Sequence, residues 1–214
     1  MSSPGGTVEQ GDFRDRLVRR FAAAVQERTG GELTFEIYPG SSLMRTVAQF
    51  SAMRRGALDM SLHPLAYAGD EAPEVDAGLL PCLVTTHEQG LAWKANGIGH
   101  ELESLLDRRG IKVVTWIWQG GGVMSKLVFN SLTPDQQAAV VQAGLEQEAF
   151  ALASAKAGDQ ALAEVYGKAG VPVADMDAAA IAQWKAVPQE SAWKDFSACS
   201  ASCAAPLKLA EAVP

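Results

Sequence analysis

The stretch IKVVTWIWQGGGVMSKLVFNSLTPDQQ, residues 111–137, constrains this chain more than any other. IKVVTWIW is its most continuous β-branched and aromatic run and predicts a buried central strand. QGGG then predicts a tight turn, followed by a short apolar stretch and a strong helix start. Thr133 is placed to cap that helix, Pro134 takes its first position and Gln136 completes a capping box. Where the chain goes after the glycines decides what it can enclose.

Upstream, Phe13, Leu17, Phe21 and Val25 recur every four residues, the stripe of an amphipathic helix. Gly30 and Gly31 supply its stop. In ELTFEIYPG, Leu33, Phe35 and Ile37 alternate as in a strand. MRTVAQFSAMRRG predicts a second helix, ALDMSLHP a short strand ended by Pro64, and residues 65–90 a long loop of the kind that often carries function. EQGLAWKANGIGHELESLLDRRG predicts a helix with a weak middle at Gly97 and Gly99. Beyond the junction, a helix from Thr133 to about Lys168 has a soft point at Gly144. VPVADMD is a candidate strand, and two Ala-rich terminal helices are broken at Pro188 and Pro206.

Helix and strand thus alternate through the first half, which predicts an α/β domain with a mostly parallel sheet flanked by helices. The expected division is an α/β ligand-binding lobe over 1–122 and a mainly helical segment over 123–214 packing on it. Ligands of such sheets sit beyond the carboxyl ends of the strands. That directs attention to YPGSS, HPLAYAG and WQGGG. Trp118 and Gln119 lie at the exit of the central strand, where an aromatic wall and an amide can line a pocket, or Trp118 can simply pack. Trp116 shares the face of Trp118 and reads as core. His63 and Tyr67 occupy the corresponding strand exit. His63 reads as a ligand contact or a surface histidine, and Glu74 as a polar contact or a solvated loop carboxylate.

A net charge of −7 on 214 residues argues against a nucleic-acid surface, because phosphate neutralisation needs clustered Lys and Arg. The basic runs RDRLVRR and MRRG are interleaved with apolar residues and read as solvated helix faces. No stretch approaches the roughly 20 apolar residues of a membrane span. MSSPGGTVEQGD has no apolar core, so no secretory signal is expected in the chain as given. WQGGGVMSK fails as a phosphate loop, since Lys126 follows a serine rather than a glycine. The three histidines, His63, His87 and His100, lack metal spacing, and neither a nucleophile elbow nor H-E-x-x-H occurs. Cys82, Cys199 and Cys203 read as small buried or half-exposed residues rather than metal ligands. No cofactor is expected and no catalytic constellation is visible. From the residues alone the chain is a small-molecule-binding α/β domain.

Taken in order, several segments resemble the solute receptors of TRAP transporters, the C4-dicarboxylate-binding (DctP) type. FAAAVQERTGGELTFEIYPGSSL is similar to their opening helix and second strand, and AQFSAMRRGALDMSLHPLAY to the next helix and its G-x-x-D-M strand. GLLPCLVTTHEQGLAWK resembles their turn and following helix, and IKVVTWIWQGGG the strand leading towards a second domain. VMSKLVFNSLTPDQQAAVVQAG, EVYGKAGVPVADMD and QWKAVPQESAWKDF are similar to their late segments. The resemblance covers residues from about 13 to 213; its motifs are individually loose but specific in order.

It implies a periplasmic-binding-protein-like fold and a periplasmic receptor, not an enzyme. Such a receptor captures a small organic acid and delivers it to the transporter's membrane subunits. It also implies what this chain lacks: a signal peptide, a first strand and most of the second lobe. The missing lobe includes the segment P-x-D-l-k-G-l-k-i-R, whose arginine pairs with the substrate carboxylate. No residue here matches that arginine; Arg45 and Arg54 lie on the second helix. The gap is expected near Gly122–Met124. A different class of function is an interaction module that forms a homo-oligomer through helices left without their lobe.

Overall fold

The structure is a computed structural model and describes residues 13–117 and 120–213. The chain forms two compact units. One is drawn from Met1–Ala68 and Glu103–Ala151, the other from Gly69–Leu102 and Leu152–Pro214. The boundary expected at residue 122 lies inside a strand of the first unit.

In the first unit, α1 (Phe13–Arg28) buries Leu17, Phe21 and Val25, the stripe read from the sequence. Gly30 and Gly31 end it at φ of 60° and 86°, a region that side chains with a Cβ rarely enter. α2 (Thr46–Arg54) leads into β1 (Met60–His63). β2 (Ile111–Ile117) and β3 (Gly120–Ser125) follow α4 (Gly97–Arg108), whose residues from Glu103 onwards belong to this unit.

The sheet order is β1-β3-β2, with both pairs antiparallel. This corrects the expectation of a mostly parallel sheet. β1 and β2 do run in the same direction, as their helical crossover dictates. They do not touch, however, because β3 lies between them and opposes both. GGGVMS, expected as a turn and a junction, is therefore the central strand. Its glycines are required by the closeness of β2. A Cβ on Gly121 would stand 2.7 Å from the Thr115 carbonyl oxygen, and one on Gly122 would stand 3.0 Å from Thr115 Oγ1. The register shift between Val113 and Thr115 brings β2 in at this point.

One sheet face meets α1 and α6 (Pro134–Lys168). Phe21, Val25, Val114, Met124, Val140 and Ala143 form the buried core there, each large side chain contributing about 1.5–3 kcal/mol. Leu33 and Phe35 pack against this core, and the Phe35 ring meets Phe21 edge-on at 5.6 Å. Their segment forms no strand. The alternation reported a buried side, and burial against a helix satisfies it without a ladder. The opposite face meets α2, where Ser61 donates to Gln49 Oε1 at 2.6 Å.

The apolar stretch after the glycines is a short helix, α5 (Lys126–Ser131). The capping box of α6 forms as expected: Gln136 N–H donates to Thr133 Oγ1 at 3.3 Å, and Thr133 N–H to Gln136 Oε1 at 3.1 Å. Gly144 is not a soft point, since α6 runs through it without a break.

In the second unit, short 3-10 turns precede α3 (His87–Ala92); the break in the expected helix comes at Trp93–Ala95, before Gly97 and Gly99, which both lie in α4. Residues 171–177 are exposed and join no sheet, so the candidate strand does not form. α7 (Ala178–Gln189), α8 (Ala192–Cys199) and α9 (Ala201–Glu211) close the chain. Pro206 lies within α9, and the break comes at Ser200 instead. Pro206 is the sixth residue of α9, inside the helix, and its ring is buried. The Trp193 indole N–H donates to the Pro81 carbonyl at 3.0 Å, tying α8 to the preceding turns. Cys199 and Cys203 are joined by a disulfide, contrary to the expectation of unpaired thiols, and Cys82 is free. The α8–α9 junction brings their Cα atoms to 6.3 Å, within bridging range.

Candidate functional site

β1 ends at His63, which pairs with Gly121 of β3, and Gly121 pairs in turn with Trp116 of β2. Directly opposed residues of an antiparallel ladder point to the same face. His63 and Trp116 therefore flank a row whose centre has no side chain. This is the face that carries Ser61, the side covered by α2.

His63 is fully buried, and neither ring nitrogen has a hydrogen-bond partner. The surface-histidine reading is thereby overturned. The Phe50 ring of α2 stands 6.3 Å away on one side, and the Tyr67 ring of the 3-10 turn Leu65–Ala68 stands 6.3 Å away on another. Burial in this apolar setting lowers the imidazole pKa to about 4, so the ring is neutral at pH 7. A neutral imidazole is one donor and one acceptor, and leaving both unmade costs free energy. Gln49 accepts from Ser61 and donates to the Met44 carbonyl at 3.1 Å.

Tyr67, expected at this exit, is half exposed at its edge. Trp116 is held by two carboxylates: its backbone N–H donates to Glu148 Oε1 at 3.1 Å and its indole N–H to Glu103 Oε1 at 2.7 Å. Neither acid was visible as a partner in the sequence, because each lies on a separate helix, Glu103 on α4 and Glu148 on α6. Phe50 was missed too; its place on an apolar helix face says only that it is buried. Trp118 and Gln119 lie outside the described residues. Glu74 belongs to the second unit, in the 3-10 turn Pro73–Leu79, and is buried rather than solvated. Arg54, on α2, donates to the Arg109 carbonyl at 3.1 Å.

Among the described residues no cluster of three or more His, Cys, Asp or Glu could hold a metal ion, and no helix is long and apolar enough to cross a membrane. His87, at the start of α3, instead meets Asp159 at 2.7 Å. What the end of β1 offers is a buried, unpartnered polar ring between two aromatic side chains.

The family described as bacterial extracellular solute-binding protein, family 7 (DctP), matches residues 5–123. A solute-binding protein of Albidiferax ferrireducens is 36% identical over 299 aligned residues, covering 97% of this chain and 88% of that protein. The crystal structure of a TRAP periplasmic solute-binding protein from Rhodoferax ferrireducens, with bound malonate, superposes with a TM-score of 0.88 at 34% identity. It covers 97% of this chain and 95% of that one. A TRAP periplasmic solute-binding protein from Chromohalobacter salexigens, with bound D-glucuronate, shares the fold with a TM-score of 0.82 at 13% identity, over 94% and 96% of the two chains. The family match over more than half of the chain and the 36% identical relative agree, and the chain belongs to the DctP family of bacterial extracellular solute-binding proteins.

Proposed function

We propose that this chain is an extracytoplasmic receptor that captures a small organic acid for a TRAP-type transporter and catalyses no reaction. His63 is the polar contact, with Tyr67 beside it and Trp118 and Gln119 at the neighbouring strand exit. The observation that carries this reading is the buried His63 ring with both nitrogens unpartnered between Phe50 and Tyr67. A carboxylate accepting from that ring would satisfy the donor in a charge-assisted bond. Malonate, bound by the Rhodoferax relative, is the first candidate class. Glu74, which belongs to the other unit, is not carried into this reading.

The 299-residue alignment against a chain of 214 residues supports an internal gap, and a second lobe is where the receptor family's resemblance puts it. A single imidazole donor replaces a bidentate guanidinium in this reading. Affinity for the acid is then weaker than the family arginine would confer.

Titration calorimetry against malonate and a panel of mono- and dicarboxylates tests this. One acid should bind, and His63→Phe, which keeps the ring volume and removes both nitrogens, should weaken it at least about tenfold, an energy of about 1.4 kcal/mol. Equal binding by wild type and His63→Phe would remove His63 from the site. A folded protein indifferent to every acid would overturn the receptor reading.

A further inference from the structure

The row formed by His63, Gly121 and Trp116 has no fixed cation to offer an acid. Apart from His63 itself, β1 and β3 carry no charged or titratable side chain. In the turn Leu65–Ala68 only Tyr67 can ionise. On α2, Arg54 donates to the Arg109 carbonyl at 3.1 Å, and Arg55, just beyond the helix, donates to Ser51 Oγ at 2.9 Å. Lys112 of β2 opposes Met124, a residue of the other sheet face, and stands 5.6 Å from the centre of the Phe129 ring. The charges at the Trp116 end of the row are negative, since Glu103 and Glu148 both accept from Trp116.

We propose, resting on the receptor reading above, that the acid enters this site together with one proton, which His63 takes up from solvent. A carboxylate buried without an opposite charge is strongly disfavoured, and His63 is the one member of the row that can become a cation. Hydrogen bonding points the same way. An ionised acid has only acceptors, whereas the neutral ring has one donor and one acceptor, and both nitrogens are buried without a partner. An anion can meet the donor but not the lone pair. A proton added to that lone pair makes the second nitrogen a donor as well, and no covalent bond is broken. The proton is absent beforehand, because burial lowers the free ring to a pKa of about 4. A carboxylate brought against the ring favours the charged form and raises it again. Capture of the acid is therefore linked to proton uptake and strengthens as pH falls.

Titration calorimetry in buffers of different ionisation enthalpy counts the protons, with malonate as the probe or the panel acid bound in its place. Between about pH 7 and pH 9, above the ordinary carboxylate range, close to one proton should be taken up per acid bound. Kd should rise about tenfold with each pH unit. His63→Phe should bind more weakly and take up none. Where that variant fails to fold, ring-nitrogen NMR of the wild type decides. On adding the acid, the His63 signals should change from the neutral to the doubly protonated pattern, while those of His87 and His100 stay as they were. Binding without proton uptake, at a Kd independent of pH, overturns this inference and leaves the receptor reading standing. Uptake that persists in His63→Phe, or a His63 ring that stays neutral in the complex, overturns it too. A folded wild type that binds no acid of the panel at any of these pH values removes the receptor reading, and this inference with it.

Discussion

Gly144 of α6 lies directly against the backbone carbonyl of Val114 in β2, so closely that a Cβ on Gly144 would stand 2.1 Å from that oxygen. The bulged strand and the helix meet there backbone to backbone, beside Ala143 and Val140 in the core. Gly144→Ala should therefore destabilise the protein by about 1–3 kcal/mol, the usual cost of overpacking. Gly158, in the same helix, has nothing within 4 Å of its Cβ position. Gly158→Ala should stabilise by about 0.5–1 kcal/mol through helix propensity alone. Urea unfolding of the two variants reads this contrast directly, and equal effects would mean that the close approach does not exist.

Acid stability should carry the signature of His63. The unfolded imidazole protonates near its ordinary pKa of 6.5, whereas the folded one is lowered by burial to about 4. Between those values the unfolded state binds more protons, so stability is lost as pH falls from 6.5 towards 4. The full loss is about 3 kcal/mol. Carboxylates also titrate in this window, so the measurement is the difference between wild type and His63→Phe. The variant should show the shallower slope, and parallel slopes would mean that the ring is solvated.

The start of α6 should be sensitive to one hydroxyl. Thr133 Oγ1 accepts from Gln136 N–H at 3.3 Å while Gln136 closes the box from the other side. Thr133→Ala should cost about 1 kcal/mol in chemical denaturation. Because the first turn of α6 is exposed while its middle is buried, hydrogen exchange should quicken at the first turn of the helix only.

Thiol titration checks the α8–α9 junction. With Cys199 and Cys203 bonded, the denatured, unreduced chain should expose one thiol, that of Cys82, and three after reduction. Three thiols before reduction, in protein purified under oxidising conditions, would show the pair to be open.

Local physics was readable wherever it was self-contained. The stripe of Phe21 and Val25, the capping box at Thr133 and the glycine stop at Gly31 each depend on neighbours a few residues away, and each formed. Family membership was readable as well, because it lies in the order of many loose segments. The errors arose where a pattern records burial but not its partner. Leu33 and Phe35 alternate because one side packs on Phe21, and VPVADMD, read as a strand, buries nothing.

Burial and direction were thus set by the sequence through periodicity. Pairing was decided only in three dimensions. The chain's own alternation of helix and strand makes β1 and β2 run the same way, but nothing local says that Gly121 and Gly122 fit between them. That fit depends on the distance to Thr115, a residue of the opposing strand, and on glycine alone being narrow enough to meet it. The same insertion sets His63 in one row with Trp116 and leaves the middle of that row bare. Periodicity is a property of one segment, whereas an unsatisfied ring between two aromatics is a property of several, and only packing brings those together.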